Sequence, residues 1–170
     1  MLQIARQKGL VPVVGNMVDP PLLDNFFDGV ISRQTFQYLT QDESICALRN
    51  ANSLLTDSGR LILHHMTIPE WDEKRTFQKF MNVDGYPCRF QTEAEFFADV
   101  SDSGFSEVIS RSVTHMVQES IDDFCSVRNI PKKQFTTRGE LVSEIPEYNM
   151  QLGNGYITYS RNYTLIHAKK

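Results

Sequence analysis

The sequence lacks three features that would narrow its class at once: a long apolar run, an excess of basic residues and a pair of neighbouring cysteines. No run approaches the roughly 20 apolar residues of a membrane-spanning helix, and the N-terminal stretch MLQIARQKG has no apolar core of a secretion signal. The formal net charge is −4, from 17 Lys and Arg against 21 Asp and Glu. We therefore expect a cytoplasmic protein with no membrane span and no nucleic-acid partner.

Cysteine is scarce as well. Cys46, Cys88 and Cys125 are odd in number and far apart, so they do not predict the disulfide framework of a small secreted domain. The four histidines do not lie near these cysteines at the spacing of zinc ligands. The sequence therefore predicts reduced thiols and no metal site.

What remains is the composition of an ordinary globular domain. The 170 residues are 41% hydrophobic and 22% charged, which suffices for a core of one domain. The sequence contains no repeat, low-complexity tract or evident linker. We therefore predict a single domain over residues 1–170.

Strand and helix signals alternate along the first part of the chain. Apolar runs at 10–14, 27–32 and 60–66 predict three buried strands, the first near a sheet edge because it contains Pro12. Between the second and third, Thr40 with Glu43 three residues later forms a capping-box signature, which predicts that a helix begins there. Such alternation favours an α/β fold with a mostly parallel sheet.

The second half has weaker signals. Thr92 and Glu95 form another capping box that predicts a helix, followed by a strand at 105–114. Helices are predicted at 120–129 and 137–150. Residues 156–168 alternate as a closing strand, and we expect the last two strands to be antiparallel at one edge of the sheet.

One block carries an ordered set of motifs. Residues 15–32 read G-N-x-x-D-x-P-x-x-D-N-x-F-D-G-V-I-S, and residues 54–63 read L-L-T-D-S-G-R-L-I-L after the predicted helix. This block resembles the middle of class I S-adenosylmethionine-dependent methyltransferases, strongly over residues 1–66 and weakly over 67–155. The resemblance implies a Rossmann-like methyltransferase sheet, S-adenosylmethionine as cofactor and methyl transfer to a small-molecule acceptor.

The resemblance also implies roles for individual residues. Asn16 stands where family members carry a polar residue that bonds adenine, and the backbone of Met17 would reach the ring edge. Ser32, Arg33 and Gln34 occupy the position that faces the methionine half of the cofactor. The alternatives are that Asn16 bonds its own turn and that Arg33 forms a surface ion pair.

Two adjacent histidines, His64 and His65, end the third predicted strand. Ligands of open α/β sheets bind beyond the carboxyl ends of strands, so one histidine is a candidate general base for an acceptor that must lose a proton. Only one of them can point to a given face of the strand. The alternative is that one packs in the sheet and the other bonds a loop carbonyl.

The chain departs from the family pattern before residue 10. Family members carry a glycine-rich turn after their first strand and an acidic residue after their second, and neither is present here. The resemblance therefore implies an N-terminally truncated sheet with the first two strands missing, roughly 50 to 60 residues by the size of βα units. The predicted strand at 10–14 would then lack a neighbour.

Two expectations about function follow. The first is that residues 1–66 form the cofactor-side core and 67–170 the substrate side, with a helical insert at 115–155, and that this chain alone is inactive. A homodimer or a complementing N-terminal polypeptide would complete it. The alternative is a non-catalytic methyltransferase-like module that serves as a partner subunit or a dimerisation domain.

Overall fold

One mixed β-sheet forms the centre of the molecule. The computed structural model describes residues 2–70, 72, 75, 78, 88–128, 131, 148–149 and 151–170. In this part the strands are β1 (Phe27–Arg33), β2 (Leu55–Thr67), β3 (Ser106–Ser120), β4 (Gln151–Gly153) and β5 (Tyr156–Lys169). The helices are α1 (Leu2–Gln7), α2 (Gln41–Leu54), α3 (Glu93–Ser101) and α4 (Ile121–Arg128), with a short 3-10 turn at Phe36–Tyr38.

The strand order confirms the α/β prediction and differs from it in two details. A mostly parallel sheet was predicted, but β1 with β2 is the one parallel pairing among the four described pairings, and the place of the last strand also differs. The order is β1-β2-β5-β3, with β1 parallel to β2, and with β5 antiparallel to both β2 and β3. The last strand is thus antiparallel as predicted, but it lies inside the sheet and β3 is outermost. Its side chains fit that place, because Tyr159, Thr164 and Ile166 are fully buried.

The prediction of a strand at 10–14 is wrong. Among the described residues, this stretch has no strand partner, and Val11 is 90% exposed. A strand needs a neighbour that takes up its N–H and C=O groups, and Pro12 also removes one donor. The apolar side chains of residues 10–14 therefore remain in contact with water.

Local signals placed the helices correctly. At α2, Thr40 Oγ1 accepts from the Glu43 N–H at 3.3 Å, and the Glu43 carboxylate accepts from the Thr40 N–H at 2.8 Å. The same reciprocal pair joins Thr92 and Glu95 at α3, with distances of 3.2 and 2.9 Å. Gly9, with a φ of +76°, closes α1 in the left-handed conformation that glycine favours.

The segment between β3 and β5 differs from the predicted helical insert at 115–155. β3 continues to Ser120, so the first residues of that insert are strand, and α4 then confirms the predicted helix at 120–129. β4 was not predicted. It pairs with the start of β5, where Gly155 (φ +78°) permits the tight turn. The helix predicted at 137–150 lies outside the described residues except for 148–149.

The two faces of the sheet are covered differently. On one face, Leu61 and Leu63 of β2 and Ile166 of β5 pack under α2 and α3, with Leu48 and Phe96 as fully buried helix residues. Burying a side chain of this size contributes about 1.5–3 kcal/mol. We call this the helix-covered face. No described helix has the length and apolarity needed to cross a membrane.

Among the residues that the structure describes, the opposite face is covered only at the end where β2 finishes. There Met66 and Tyr159 pack with Ile68, Phe90 and Cys125. Nearer the start of β2, the side chains on this face are exposed, and we call this part the open face. Its apolar members are Ile31, Ile62, Ile109, Val113 and Leu165.

Candidate functional site

The carboxyl ends of β1 and β2 bring predicted site residues together. Arg33 is the register partner of His64, and parallel partners project from the same face. After β1 the chain turns at Gln34, whose φ is +51° and whose N–H donates to the His64 carbonyl at 2.8 Å. Arg33, Gln34 and His64 therefore form one group, at the strand ends where α/β sheets bind ligands. Ser32 is the register partner of Leu63, so its side chain projects from the opposite, helix-covered face.

His64 lies on the side of the sheet that carries the open face. Its ring stacks on that of Tyr163, with a centroid distance of 4.9 Å and an interplanar angle of 16°. Burial lowers the pKa of His64 below its usual 6.5, and Arg33 and His115 lower it further. A lowered pKa keeps the imidazole neutral at physiological pH, which is the state that accepts a proton.

His65 points to the helix-covered face. It is 1% exposed, and its ring lies 4.4 Å from that of Phe96 and 6.4 Å from that of Phe36. Within the described part of the chain, neither ring nitrogen has a hydrogen-bond partner. Burial, followed by the charges of Arg89 and His64, lowers its pKa to about 3. This environment favours the packing alternative, in which His65 is a neutral core residue.

The guanidinium of Arg33 is a free cation at this group. The residue is exposed, and its side chain makes no hydrogen bond or ion pair with any residue that the structure describes. The predicted alternative of a surface ion pair is therefore not seen. An unpaired guanidinium next to a neutral imidazole suits the recognition of a carboxylate or a phosphate.

Asn16 and Met17 lie elsewhere, along the flank of α2. The side-chain oxygen of Asn16 accepts from the Val18 N–H at 3.1 Å, so it bonds its own turn. The Met17 carbonyl accepts from the side-chain amide of Asn50 at 3.2 Å. None of the described contacts joins these residues to Arg33 or His64, and their role towards adenine stays a prediction.

Sequence reasoning missed the residues that β3 and β5 supply. Tyr163 opposes Val113 in the sheet register, and His115 opposes Arg161. Arg161 is buried and donates to the Tyr163 hydroxyl at 3.1 Å, which fixes the ring that stacks on His64. The alternation of residues 156–168 predicted the strand, but only the pairing of β5 with β2 on one side and with β3 on the other brings these side chains to His64.

A cleft of about 510 Å³ lies between the start of α2 and the side of α3, next to Arg89. The Arg89 guanidinium in it donates to Ser44 at 3.1 Å and to Gln91 at 2.9 Å, and also to Gln41. Arg75 donates to Glu95 in the same cleft. The guanidiniums of Arg89 and Arg75 already donate to acceptors within the protein. We therefore interpret them as stabilising the packing of this cleft and not as a ligand-binding site.

No group of three or more potential metal-binding side chains occurs among the residues that the structure describes.

The comparisons with known proteins agree with the sequence motifs. Residues 1–63 match the family model described as a methyltransferase domain. None of the curated proteins matches the chain.

Solved structures share the fold. A candidate methyltransferase from Bacillus halodurans C-125 has a TM-score of 0.82 at 15% identity, covering 99% of this chain and 76% of its own. The YcgJ protein from Bacillus subtilis has a TM-score of 0.79 at 17% identity, covering 99% and 75%. Geranyl diphosphate C-methyltransferase from Streptomyces coelicolor A3(2) has a TM-score of 0.58 at 13% identity, covering 98% and 58%. The resemblance to class I S-adenosylmethionine-dependent methyltransferases is thus confirmed, in sequence over residues 1–63 and in the Rossmann-like fold of the described chain.

Proposed function

We propose that the chain forms the acceptor-binding part of an S-adenosylmethionine-dependent methyltransferase for a small anionic molecule. The observation that supports this most directly is the pair formed by Arg33 and His64 at the ends of β1 and β2. Enzymes of this fold include one whose structure was determined with the small molecule geranyl diphosphate. The acidic chain, with its net charge of −4, gives no general attraction for nucleic acid.

The residues present fit the methionine end of the cofactor better than the adenine end. Arg33 offers an unpaired guanidinium for a carboxylate, on the same face of the sheet as His64. The side-chain oxygen of Asn16 is already used within its own turn. When bound, S-adenosylmethionine supplies the methyl group from its sulfonium. We propose that this chain alone binds it weakly, with a Kd of about 1 mM or above.

Each member of the group has a separate task. Arg33 holds an anionic group of the acceptor or the cofactor, and the Tyr163 ring forms the wall beside His64. Neutral His64 accepts the proton that the acceptor loses during transfer. Orientation supplies much of the rate in such a reaction, because the protein mainly holds two reactants at near-attack distance. His65 has no part in this proposal.

NMR of the full chain with labelled histidine side chains tests the proposal. Adding S-adenosylhomocysteine to millimolar concentration is expected to shift the His64 signals and leave those of His65 in place. The Arg33→Ala variant should weaken this response several-fold, whereas Arg49→Ala, at an exposed site on α2, should not change it. Absence of any His64 response would contradict the proposal.

A second function has its own supporting observation. The exposed apolar side chains of the open face favour a non-catalytic methyltransferase-like module that acts as a partner subunit or dimerisation domain. The same titration distinguishes the two functions. A non-catalytic module is expected to show no change in its His64 signals when S-adenosylhomocysteine is added.

A further inference from the structure

The open face is an apolar surface in the middle of a sheet. Ile31 is 75% exposed, Ile62 36%, Ile109 63% and Leu165 46%. The register places Ile31 beside Ile62, and His167 lies between Ile62 and Ile109. A cluster of exposed apolar side chains of this kind usually marks an interaction surface.

This patch is surrounded by positive charge. Arg33, Arg60 and Arg111 project from the same face, because they occupy the same alternate register positions as the apolar residues. The two acids at its rim, Glu107 and Glu119, already pair with basic residues of β5. The open face is therefore apolar and basic, although the whole chain carries a net charge of −4.

A second exposed apolar surface has the opposite charge. Residues 10–26 expose Leu10, Val11, Val14, Leu23 and Phe26. Within residues 9–32 the charged side chains are Asp19, Asp24 and Asp28, with no Lys or Arg. We call residues 10–26 the acidic arm.

The acidic arm is held away from the open face of its own chain. Asn50 of α2 donates to the carbonyls of Met17 at 3.2 Å and Val18 at 2.7 Å, and the Cys46 thiol also contacts the Val18 carbonyl. These bonds fix the middle of the arm on α2, which covers the opposite face of the sheet. The two complementary surfaces therefore meet most directly between molecules.

We propose that the acidic arm of one copy docks on the open face of a second copy. A two-fold arrangement satisfies both arms and both faces at once, since such an interface uses the same pair of surfaces twice. The free edge of β1 adds a backbone contribution. β1 pairs only with β2 among the described strands, and residues 11–14 of the arm make no described backbone hydrogen bond, so strand addition at this edge is available to both. The inference deepens the second proposed function, the dimerisation module, and rests on the same open face; it does not depend on methyl transfer.

Charge reversal on each surface tests the docking. The face variant combines Arg60→Glu with Arg111→Glu, and the arm variant combines Asp19→Lys with Asp24→Lys. Light scattering after size exclusion is expected to give a dimer for the unaltered full chain at micromolar concentration. Each variant alone should dissociate at least ten-fold more readily, because like charges then face each other.

The mixture of the two variants is the decisive sample. In it, the acidic arm of the face variant meets a basic face, and the basic arm of the arm variant meets an acidic face, so a one-to-one dimer should return. Asp57→Lys with Asp102→Lys, both exposed and outside the two surfaces, changes net charge as the arm variant does and should leave the dimer intact. Circular dichroism confirms that all variants are folded.

Three results would overturn the inference: a monomeric unaltered chain at about 100 µM, dimers that both variants keep, or a mixture that stays monomeric. The first would mean that another polypeptide covers the open face. Larger open assemblies that both variants abolish would support the docking, since contacts between unlike surfaces can also propagate without closing.

Discussion

The two faces of the sheet use the same strands and the same alternation, yet only one of them is a core. Leu61 and Ile166 on the helix-covered face are fully buried, whereas Ile62 and Leu165, their neighbours in sequence, are exposed on the open face. The difference arises from what lies above each face, since α2 and α3 cover one side only. Alternating apolar residues in a strand therefore show which faces of a sheet could form a core. Whether a given face is buried depends on the helices that pack on it.

The largest expected effect contrasts one core and one open-face residue. Phe96→Ala removes a fully buried ring from the helix-covered face and should lower the free energy of unfolding by about 3–5 kcal/mol. Ile109→Ala on the open face should lower it by less than about 1 kcal/mol. Urea denaturation of both variants, in the charge-reversed arm background that keeps the chain monomeric, measures the contrast. Similar losses at the two positions would mean that the open face is buried in solution.

The next effect separates the two adjacent histidines. The folded-state pKa of His65 is about 3, mainly because of burial, against about 6.5 in the unfolded chain. Between these values the unfolded state binds more protons, so stability is full above pH 6.5 and falls as the pH decreases towards 3. His65 should thereby contribute a loss of about 2 kcal/mol between pH 7 and pH 5.

Denaturation curves at several pH values measure this loss. The difference between the unaltered chain and His65→Leu should grow in favour of the variant as the pH falls. His64→Leu is the matched control, and its pH-dependent difference should be smaller because His64 is less buried. Equal pH dependence of the two variants would contradict the assignment of His65 to the core.

The smallest effect concerns the charge around His64. Arg33 is the second cause of the lowered His64 pKa, after burial. Arg33→Ala should therefore raise the His64 pKa, without restoring its ordinary value because burial remains. An NMR titration of the imidazole signals measures the shift. Arg49→Ala on α2 should leave the His64 pKa unchanged. A shift of the same size in that control would show that Arg33 does not act on His64 as a specific neighbour.

Features set by neighbours in sequence were predictable. Thr40 and Thr92 are each followed three residues later by a glutamate, which is the signature of a capping box. Both helices begin where this signature predicts. The FDGVIS run forms β1 for a similar reason, since its apolar content suits a strand in any sheet. The motifs around β1 and the start of β2 also indicated the methyltransferase fold.

Features set by distant pairing were not predictable. Residues 10–14 have the composition of a strand but no described neighbour, so composition alone gave the wrong answer there. The position of β5 inside the sheet depends on two antiparallel registers that join residues 36 to 109 positions apart. For the same reason the sequence did not reveal that Tyr163 stacks on His64, or which of the two histidines faces the helices.

The position of β5 in the sheet also determines when β3 can join the sheet during synthesis of the chain. β3 has no described strand partner other than β5. It therefore cannot form its sheet hydrogen bonds until residues 156–169 have been synthesised. Contacts of such long sequence separation slow folding. A nascent chain that stops before residue 156 would leave the backbone N–H and C=O groups of β3 without the partners that β5 supplies, and such an unpaired strand can associate with other chains.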